Sequence, residues 1–303
     1  MLSAVAFRRL AFTTAVFAYL QIALGGVVRV SGSGLGCPDW PLCNGRPYPA
    51  ADVHSIIEYS HRTVGAITGV LLIATVITAW IVFRRTRPIV AWLATGSLVA
   101  IAAEGALGGV VVINELAPWL VLVHLGLAMI ILGFLIATAV MSLPPATGVP
   151  DRSLKRLAAI GALVTYFLLL TGSTVVASDA DQTCHAWPLC GNGFALDFAG
   201  SSTYTMLHRG SVLVIGVLLV IVLLRALREA TTRPIAAATL FVFALQVAVG
   251  AGSALGDNAL FNGLHVAIAT LVWSGMLSVA LLTLPRSDRA PALTRLAVDK
   301  GPA

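Results

Sequence analysis

The 303-residue chain has few charged residues, and that scarcity identifies its solvent. Only 11% of its residues are charged, whereas 58% are hydrophobic, and the mean hydropathy is +0.93. A soluble domain of this length needs a charged surface, so the composition excludes one and indicates lipid as the solvent. The pI of about 9.5 needs no nucleic-acid partner to explain it, because an excess of basic residues on one side is typical of a membrane protein.

Eight long apolar stretches account for the hydropathy. A membrane span needs roughly 20 apolar residues, since about 30 Å of hydrocarbon is crossed at about 1.5 Å per residue. The segments that meet this length are 9–28, 61–83, 90–113, 118–141, 155–177, 207–225, 234–255 and 260–284. They are too long for barrel strands, so we predict an all-α integral membrane protein with eight transmembrane helices. The first is interpreted as a retained helix, because no convincing signal-peptide cleavage site follows it.

The basic residues lie mostly on alternate connections between the spans. Fifteen of the nineteen fall on one predicted side, and lysine and arginine collect on the cytoplasmic side of a membrane. The fifteen are Arg8, Arg9, Arg84, Arg85, Arg87, Arg152, Lys155, Arg156, Arg225, Arg228, Arg233, Arg286, Arg289, Arg295 and Lys300. Both termini are therefore predicted to be cytoplasmic, and the long loops 29–60 and 178–206 to be extracytoplasmic.

An internal repeat divides the chain into two related halves. Residues 37–43 read C-x-x-W-P-L-C, and residues 184–190, 147 positions later, have the same pattern. His61 and His208 each follow the second cysteine of their motif by 18 residues. Four helices per unit keep both copies in one orientation, which predicts a parallel repeat of two pseudo-symmetric four-helix bundles. The predicted halves are residues 1–145 and 146–303.

Four of the six histidines lie in or at the ends of the apolar spans, where ionisable groups are costly and indicate function. They are His61, His124, His208 and His265, in spans two, four, six and eight. These spans all begin on the same predicted side, so each half presents two imidazoles at a common depth. Two imidazoles that face each other across a bundle suit bis-histidine haem ligation. A single histidine in a membrane helix would favour an interhelical hydrogen bond, whereas four at matched positions favour haem ligation. Zinc or copper is disfavoured, because no acid or thiol accompanies the histidines at helical spacing within the membrane.

Two acidic residues near these histidines differ between the halves. Glu58 lies one turn before His61, whereas the second half has Thr205 at that position. A carboxylate beside a haem edge is able to move protons, although a solvated or helix-terminal acid is the simpler alternative. Glu104, at the position of Gln246, is a second candidate for proton handling or for a hydrogen bond.

The cysteines and two arginines are further candidates. The four cysteines form two pairs in predicted outer loops, where oxidation is permitted, and their spacing predicts disulfides Cys37–Cys43 and Cys184–Cys190. Each disulfide either shapes a lid or exchanges redox equivalents, and a purely structural staple is favoured for the second. Arg62 and Arg209 are either partners of haem propionates or side chains that extend to the interface.

These features resemble the haem A synthase family, whose members oxidise haem O to haem A during cytochrome oxidase assembly. The resemblance covers essentially the whole chain: eight spans in two halves, the sequence EYSHR at residues 58–62, and the histidines of spans four, six and eight. The paired outer-loop cysteines match a common bacterial version, in which Cys37–Cys43 corresponds to the N-terminal cysteine pair.

The resemblance implies that the two halves are used differently. It assigns His208 and His265 to a haem b cofactor, and His61 and His124 to haem O, the substrate. Glu58 matches the family's essential acid and is the implied catalytic residue. The implied reaction is successive hydroxylation of the C8 methyl group, followed by loss of water to leave a formyl group, with a haem cofactor supplying the oxidative chemistry.

The resemblance also implies a location and partners. The protein is expected in a bacterial plasma membrane, with the haem O synthase and other cytochrome oxidase assembly factors as partners, an electron donor of unknown identity, and a homo-oligomeric state as a further expectation.

Two other functions compete with this one. A di-haem b electron carrier or quinone reductase of the b561-like kind also uses histidine pairs, but its haems lie at opposite membrane faces and it has no use for a lone Glu58. A transporter with parallel repeats is disfavoured, because discontinuous helices with polar midplane sites are missing.

Overall fold

The computed structural model describes residues 3–144, 151–178, 180, 183–256 and 258–286. Eight α-helices occupy these ranges, and each is long and apolar enough to cross a membrane. The helices are α1 (Ala4–Val30), α2 (Val53–Phe83), α3 (Pro88–Ile113), α4 (Pro118–Met141), α5 (Arg152–Ala177), α6 (Ser202–Ala226), α7 (Arg233–Gly256) and α8 (Ala259–Leu282). The prediction of an all-α protein with eight membrane spans is therefore confirmed.

Some predicted features lie outside the described residues. Arg289, Arg295 and Lys300 are among them, as is the boundary between the predicted halves at residues 145 and 146.

The start of α2 differs from the prediction, because the helix begins at Val53 rather than at residue 61. Its N-cap is Asp52, whose side chain accepts a hydrogen bond from the N–H of Ser55 at 3.0 Å. A cap of this kind begins a helix where the sequence is still polar, so the criterion of an apolar run misses the first two turns. His54, predicted to lie in a loop, is therefore in the first turn of α2, and its Nδ1 is 3.0 Å from Ser33 Oγ.

The outer faces of the helices are apolar. Phe12, Val70, Leu213 and Phe241 are each between 66% and 72% exposed, which in water would be a large hydrophobic surface and in lipid is the expected one. Interior contacts are partly polar, as where the hydroxyl groups of Thr14 and Thr75, both fully buried, lie 2.9 Å apart between α1 and α2. Such hydrogen bonds hold helices together where lipid provides no hydrophobic driving force.

Helices α1, α4, α5 and α8 pack together at the centre of the molecule. The Tyr166 hydroxyl of α5 donates to the carbonyl of Gly126 in α4 at 3.1 Å, and Trp273 of α8 donates to the carbonyl of Ala162 in α5 at 3.1 Å. The helices α2, α3, α6 and α7 lie further out. The first four helices and the last four thus meet along a shared central face.

The two ends of the bundle differ in chemistry. One end, here called the loop end, carries residues 31–52 and the second long connection up to residue 201. At the other end, the side chains of Arg8, Arg87 and Arg286 donate to backbone carbonyls at residues 141–144, at and just beyond the end of α4. Helices α2, α4, α6 and α8 all begin at the loop end, so residues in their first turns come together there.

Candidate functional site at the loop end

A cavity of about 2090 Å³ lies among the helices at the loop end. Side chains from all eight helices line it, and they include His61, His124, His208 and His265. A typical pocket for a small ligand has a volume of roughly 300–1,000 Å³. The cavity that joins the four predicted histidines is therefore large enough for more than one sizeable ligand.

The four histidines lie at similar depths. His124, His208 and His265 are the seventh residues of α4, α6 and α8, and His61 is the ninth residue of α2. At a rise of about 1.5 Å per residue, all four lie ~9–12 Å from the start of their helices. His61 lies close enough to His124, and His208 to His265, for a charge on one ring to affect the other. The structure thus pairs the histidines within each half.

In the second half, both ring Nδ1 atoms have polar partners. His208 Nδ1 lies 2.9 Å from Thr171 Oγ1, and that hydroxyl donates its only proton to the carbonyl of Leu168 at 2.7 Å. Thr171 therefore accepts from the His208 N–H, which leaves His208 Nε2 with a free lone pair. The amide nitrogen of Gln246 lies 3.0 Å from His265 Nδ1 and 3.3 Å from its Nε2. Ligation of iron through His265 Nε2 would turn this amide over, so that its oxygen accepts from the Nδ1–H and orients the ring.

In the first half, the histidine partners are arranged differently. The amide nitrogen of Gln21 lies 3.2 Å from His61 Nε2, and His61 Nδ1 is buried without a hydrogen bond. Glu104 Oε1 lies 3.1 Å from His124 Nδ1, yet that nitrogen has no hydrogen bond of acceptable geometry. Neither imidazole of this half is held as firmly as those of the second.

Each histidine ring packs against a glycine on a neighbouring helix. A Cβ atom would lie 3.2 Å from His61 at Gly25 and 3.4 Å from His124 at Gly108. It would lie 3.1 Å from His208 at Gly172 and 2.8 Å from His265 at Gly250. The absence of a Cβ atom at each glycine therefore makes room for the imidazole beside it, and the available space is smallest at His265.

The cysteine loops, residues 37–43 and 184–190, lie beside the cavity. Disulfides join Cys37 to Cys43 and Cys184 to Cys190, with Cα–Cα distances of 4.5 and 5.2 Å. Trp40 of the first loop packs on α3, where a Cβ atom at Gly109 would lie 3.0 Å from its ring. His185 of the second loop is exposed.

Two arginines at matched positions hold these loops. Arg62 donates to the carbonyls of Cys37, Asp39 and Leu42 at 2.6–2.8 Å. Arg209 makes the equivalent contacts with the second loop, including the carbonyl of Ala186 at 2.7 Å. Both arginines are also among the residues that line the cavity. Their contact with the loops is observed, and their contact with haem propionates stays a prediction.

Glu58 ties the first cysteine loop to α2. Its carboxylate accepts from the N–H of Cys37 at 2.7 Å and pairs with Arg62 one turn further along the helix. The residue is 3% exposed, and it lines the cavity together with His61. In the second half, Thr205 donates to the carbonyl of Ala180 at 3.1 Å instead. The one acid at this position is therefore fixed in place at the edge of the cavity.

The residues around the cavity fit a haem. Within the described part of the chain, five buried side-chain atoms lack a hydrogen-bond partner, and all belong to residues that line the cavity. These atoms are Gln21 Oε1, His61 Nδ1, Glu104 Oε2, His124 Nδ1 and Gln246 Oε1. Buried polar atoms are rarely left unpaired, so such a cluster marks a place where a ligand changes the surroundings. Paired imidazoles in a largely apolar cavity match the needs of a flat macrocycle with axial ligands.

Sequence reasoning did not find every residue of this site. Gln21 and Thr171, which contact His61 and His208, do not occupy equivalent positions in the repeat. Their only signal is the presence of a polar side chain within the apolar first helix of each half.

Comparisons with known proteins identify the family of this chain. The model of a family described as "Cytochrome oxidase assembly protein" matches residues 8–55 and 51–277. A protein named "Heme A synthase" from Symbiobacterium thermophilum is 30% identical over 300 residues, which cover 92% of this chain and 96% of that protein. A "Heme A synthase" from Geobacillus kaustophilus is 28% identical, with 90% of each chain covered. The chain belongs to the family of cytochrome oxidase assembly proteins.

Proposed function

We propose that this protein is a haem A synthase, an oxidoreductase that converts the C8 methyl group of haem O to a formyl group to give haem A for terminal oxidases. The names of the relatives support this activity. The observation that carries it is a cavity with two histidine pairs, of which only one pair lies beside a buried acid. The site in the second half then holds a haem cofactor, and the site in the first half holds the haem that is oxidised.

The second half is the proposed site of the cofactor, haem b, held by His208 and His265. Their Nδ1 atoms have polar partners, which pre-orients the rings and suits a group that stays bound. When bound, the haem supplies oxidative chemistry that amino-acid side chains lack.

The first half is the proposed site of haem O, held by His61 and His124. The Nδ1 atoms of both rings lack hydrogen bonds, which suits a substrate that enters and leaves. Ligation through His61 Nε2 would replace its contact with Gln21.

Glu58 is the proposed catalytic residue of the first half. Its two oxygens are held by Cys37 and Arg62, but each carboxylate oxygen has a second lone pair. Two successive hydroxylations, each of which would consume one O2, two protons and two electrons from the electron donor and release one water, place two hydroxyl groups on the former methyl carbon. Glu58 then accepts the proton of one hydroxyl and returns it to the other, which departs as water and leaves the formyl group. Trp40 and Pro41 of the Cys37–Cys43 loop line the same cavity.

The remaining assignments concern arrangement and surroundings. We propose halves at residues 1–145 and 146–303, with the loop end extracytoplasmic and the end that carries Arg8, Arg87 and Arg286 cytoplasmic. The bacterial relatives support a plasma-membrane location. The proposed partners are haem O synthase, which supplies the substrate, other oxidase assembly factors, an electron donor and a second copy of the chain.

The test of this function is the formation of haem A. We expect cells that make haem O, but have no haem A synthase, to accumulate haem A when this chain is expressed, as measured by haem extraction and chromatography. Haem O that stays unconverted, with the protein present in the membrane at normal levels, would contradict the proposal.

A further inference from the structure

Glu104 and Gln246 occupy the same position beside two different histidines. Glu104 lies four residues before Gly108 in α3, and Gln246 four residues before Gly250 in α7. One turn of helix separates the members of each pair, so both face the same neighbour. In each half, that neighbour is the histidine of the last helix.

The two side chains approach their histidines at similar distances. Glu104 Oε1 lies 3.1 Å from His124 Nδ1, although the two groups are not aligned as a hydrogen bond, and Gln246 Nε2 lies 3.0 Å from His265 Nδ1. Each glycine allows the approach, since a Cβ atom would lie 3.4 Å from the first ring and 2.8 Å from the second. Each half therefore places one polar side chain beside the histidine of its last helix, and the chemical difference between them is a carboxyl group in place of an amide.

That difference is costly for the first half. The Glu104 side chain is 12% exposed, and its Oε2 is buried without a partner. Burying a carboxyl group costs more free energy than burying an amide, unless a cation or hydrogen-bond donors compensate for the lost hydration. Gln246 Oε1 is likewise buried without a partner, but an amide carries no charge to desolvate, so helix packing alone does not explain an acid at residue 104.

The two groups also differ in what they do to an imidazole. An amide presents either a donor or an acceptor when it turns over, and so fits either ring tautomer. A carboxyl group in its ionised form only accepts, so once aligned with the ring it would fix the proton on Nδ1 and leave Nε2 free to bind iron. It also makes the ring a more basic ligand.

We propose that Glu104 is a positioning residue that holds the His124 proton on Nδ1 and strengthens His124 as an iron ligand, so that the two haem sites differ in redox potential. This inference rests on the proposed function, because it requires His124 to bind a haem. A more basic axial ligand stabilises the ferric state, so the haem of the first half has the lower potential for a given macrocycle.

The test exchanges the two groups in the purified full-length protein. We expect E104Q to raise the midpoint potential of the haem of the first half, and Q246E to lower that of the haem held by His208 and His265, in spectroelectrochemical titrations. E104A should weaken haem binding in the first half by about 10–100-fold, whereas E104Q retains it. E115Q is the matched control, since Glu115 is exposed in the turn after α3 and should leave both potentials unchanged.

The outcomes separate this inference from the proposed function. Potentials in E104Q and Q246E that equal those of the wild type and E115Q, with haem bound, would overturn the role of Glu104 and leave the synthase activity in place. If only the haem of the second half copurifies, a midpoint potential in Q246E equal to that of the wild type would overturn the proposed effect of a carboxyl group beside the histidine. A wild-type protein that binds no haem O or haem A and forms none would contradict the proposed function.

Discussion

The two halves of the molecule place their histidines on the same helices but prepare them differently. In the second half, the Nδ1 atoms of His208 and His265 have polar partners, and in the first half those of His61 and His124 have no hydrogen bond. Imidazoles that are already oriented favour a haem that remains bound, because the free-energy cost of orienting them is met when the protein folds and not when the haem binds. Glu58 has no counterpart in the second half. Under the proposed function, a few side chains around one cavity give the two halves of the bundle their different roles.

The largest expected effect separates the histidine pairs. Replacing His208 or His265 by alanine should abolish the b-type absorption spectrum of the purified protein, because one axial ligand of the resident haem is lost. The matched variants His61→Ala and His124→Ala should retain that spectrum. A normal b-type spectrum in His208→Ala would overturn the assignment of the halves.

Removing the acid of the first half should stop the reaction without removing the cofactor. In Glu58→Ala, we expect haem b at its normal level and haem A formation reduced by about 10²–10⁴-fold, the usual contribution of general acid–base catalysis. Haem extraction from membranes measures both. Thr205→Ala at the matched position is the control and should be active, and normal haem A in Glu58→Ala would remove Glu58 from the mechanism.

The glycines beneath the imidazoles allow a graded comparison. The space for a Cβ atom decreases from 3.4 Å at Gly108 through 3.2 Å at Gly25 and 3.1 Å at Gly172 to 2.8 Å at Gly250. Alanine at Gly250 should displace its histidine, lower haem b content and cost roughly 1–3 kcal/mol of stability. Alanine at Gly108 should have little effect. Haem content and thermal unfolding of the four variants should follow this order, and greater haem loss from Gly108→Ala than from Gly250→Ala would contradict the geometry.

Hydropathy predicted the number and type of the helices well, because the length of a span is set by the membrane. It misplaced the start of α2, since an Asp52 cap and two polar turns lie before the apolar run. The depth of the histidines also followed from the sequence. Their partners Gln21 and Thr171 did not, because helices that are apolar on all faces carry no pattern that fixes their rotation.

The smallest expected effect concerns the cysteine loops. The pKa of Asp39 lies below its ordinary value of 3.8, because the backbone N–H groups of Gly45 and Asn44 donate to its carboxylate. A lowered pKa stabilises the loop fully above pH 3.8, and that contribution is lost as the pH falls through the pKa of the folded state. Hydrogen exchange should show Asn44 and Gly45 losing protection there, whereas the second loop, with Ala186 at the matched position, keeps it. Equal losses in both loops would contradict this role, and Asp39→Ala should remove the difference at neutral pH.

The central claim is that the second half holds a haem cofactor and the first half holds the haem that is oxidised. Extraction and identification of the haems that copurify with the wild-type protein test it most directly. The account predicts haem b together with haem O or haem A, and two molecules of haem b per chain would contradict it and favour a di-haem electron carrier.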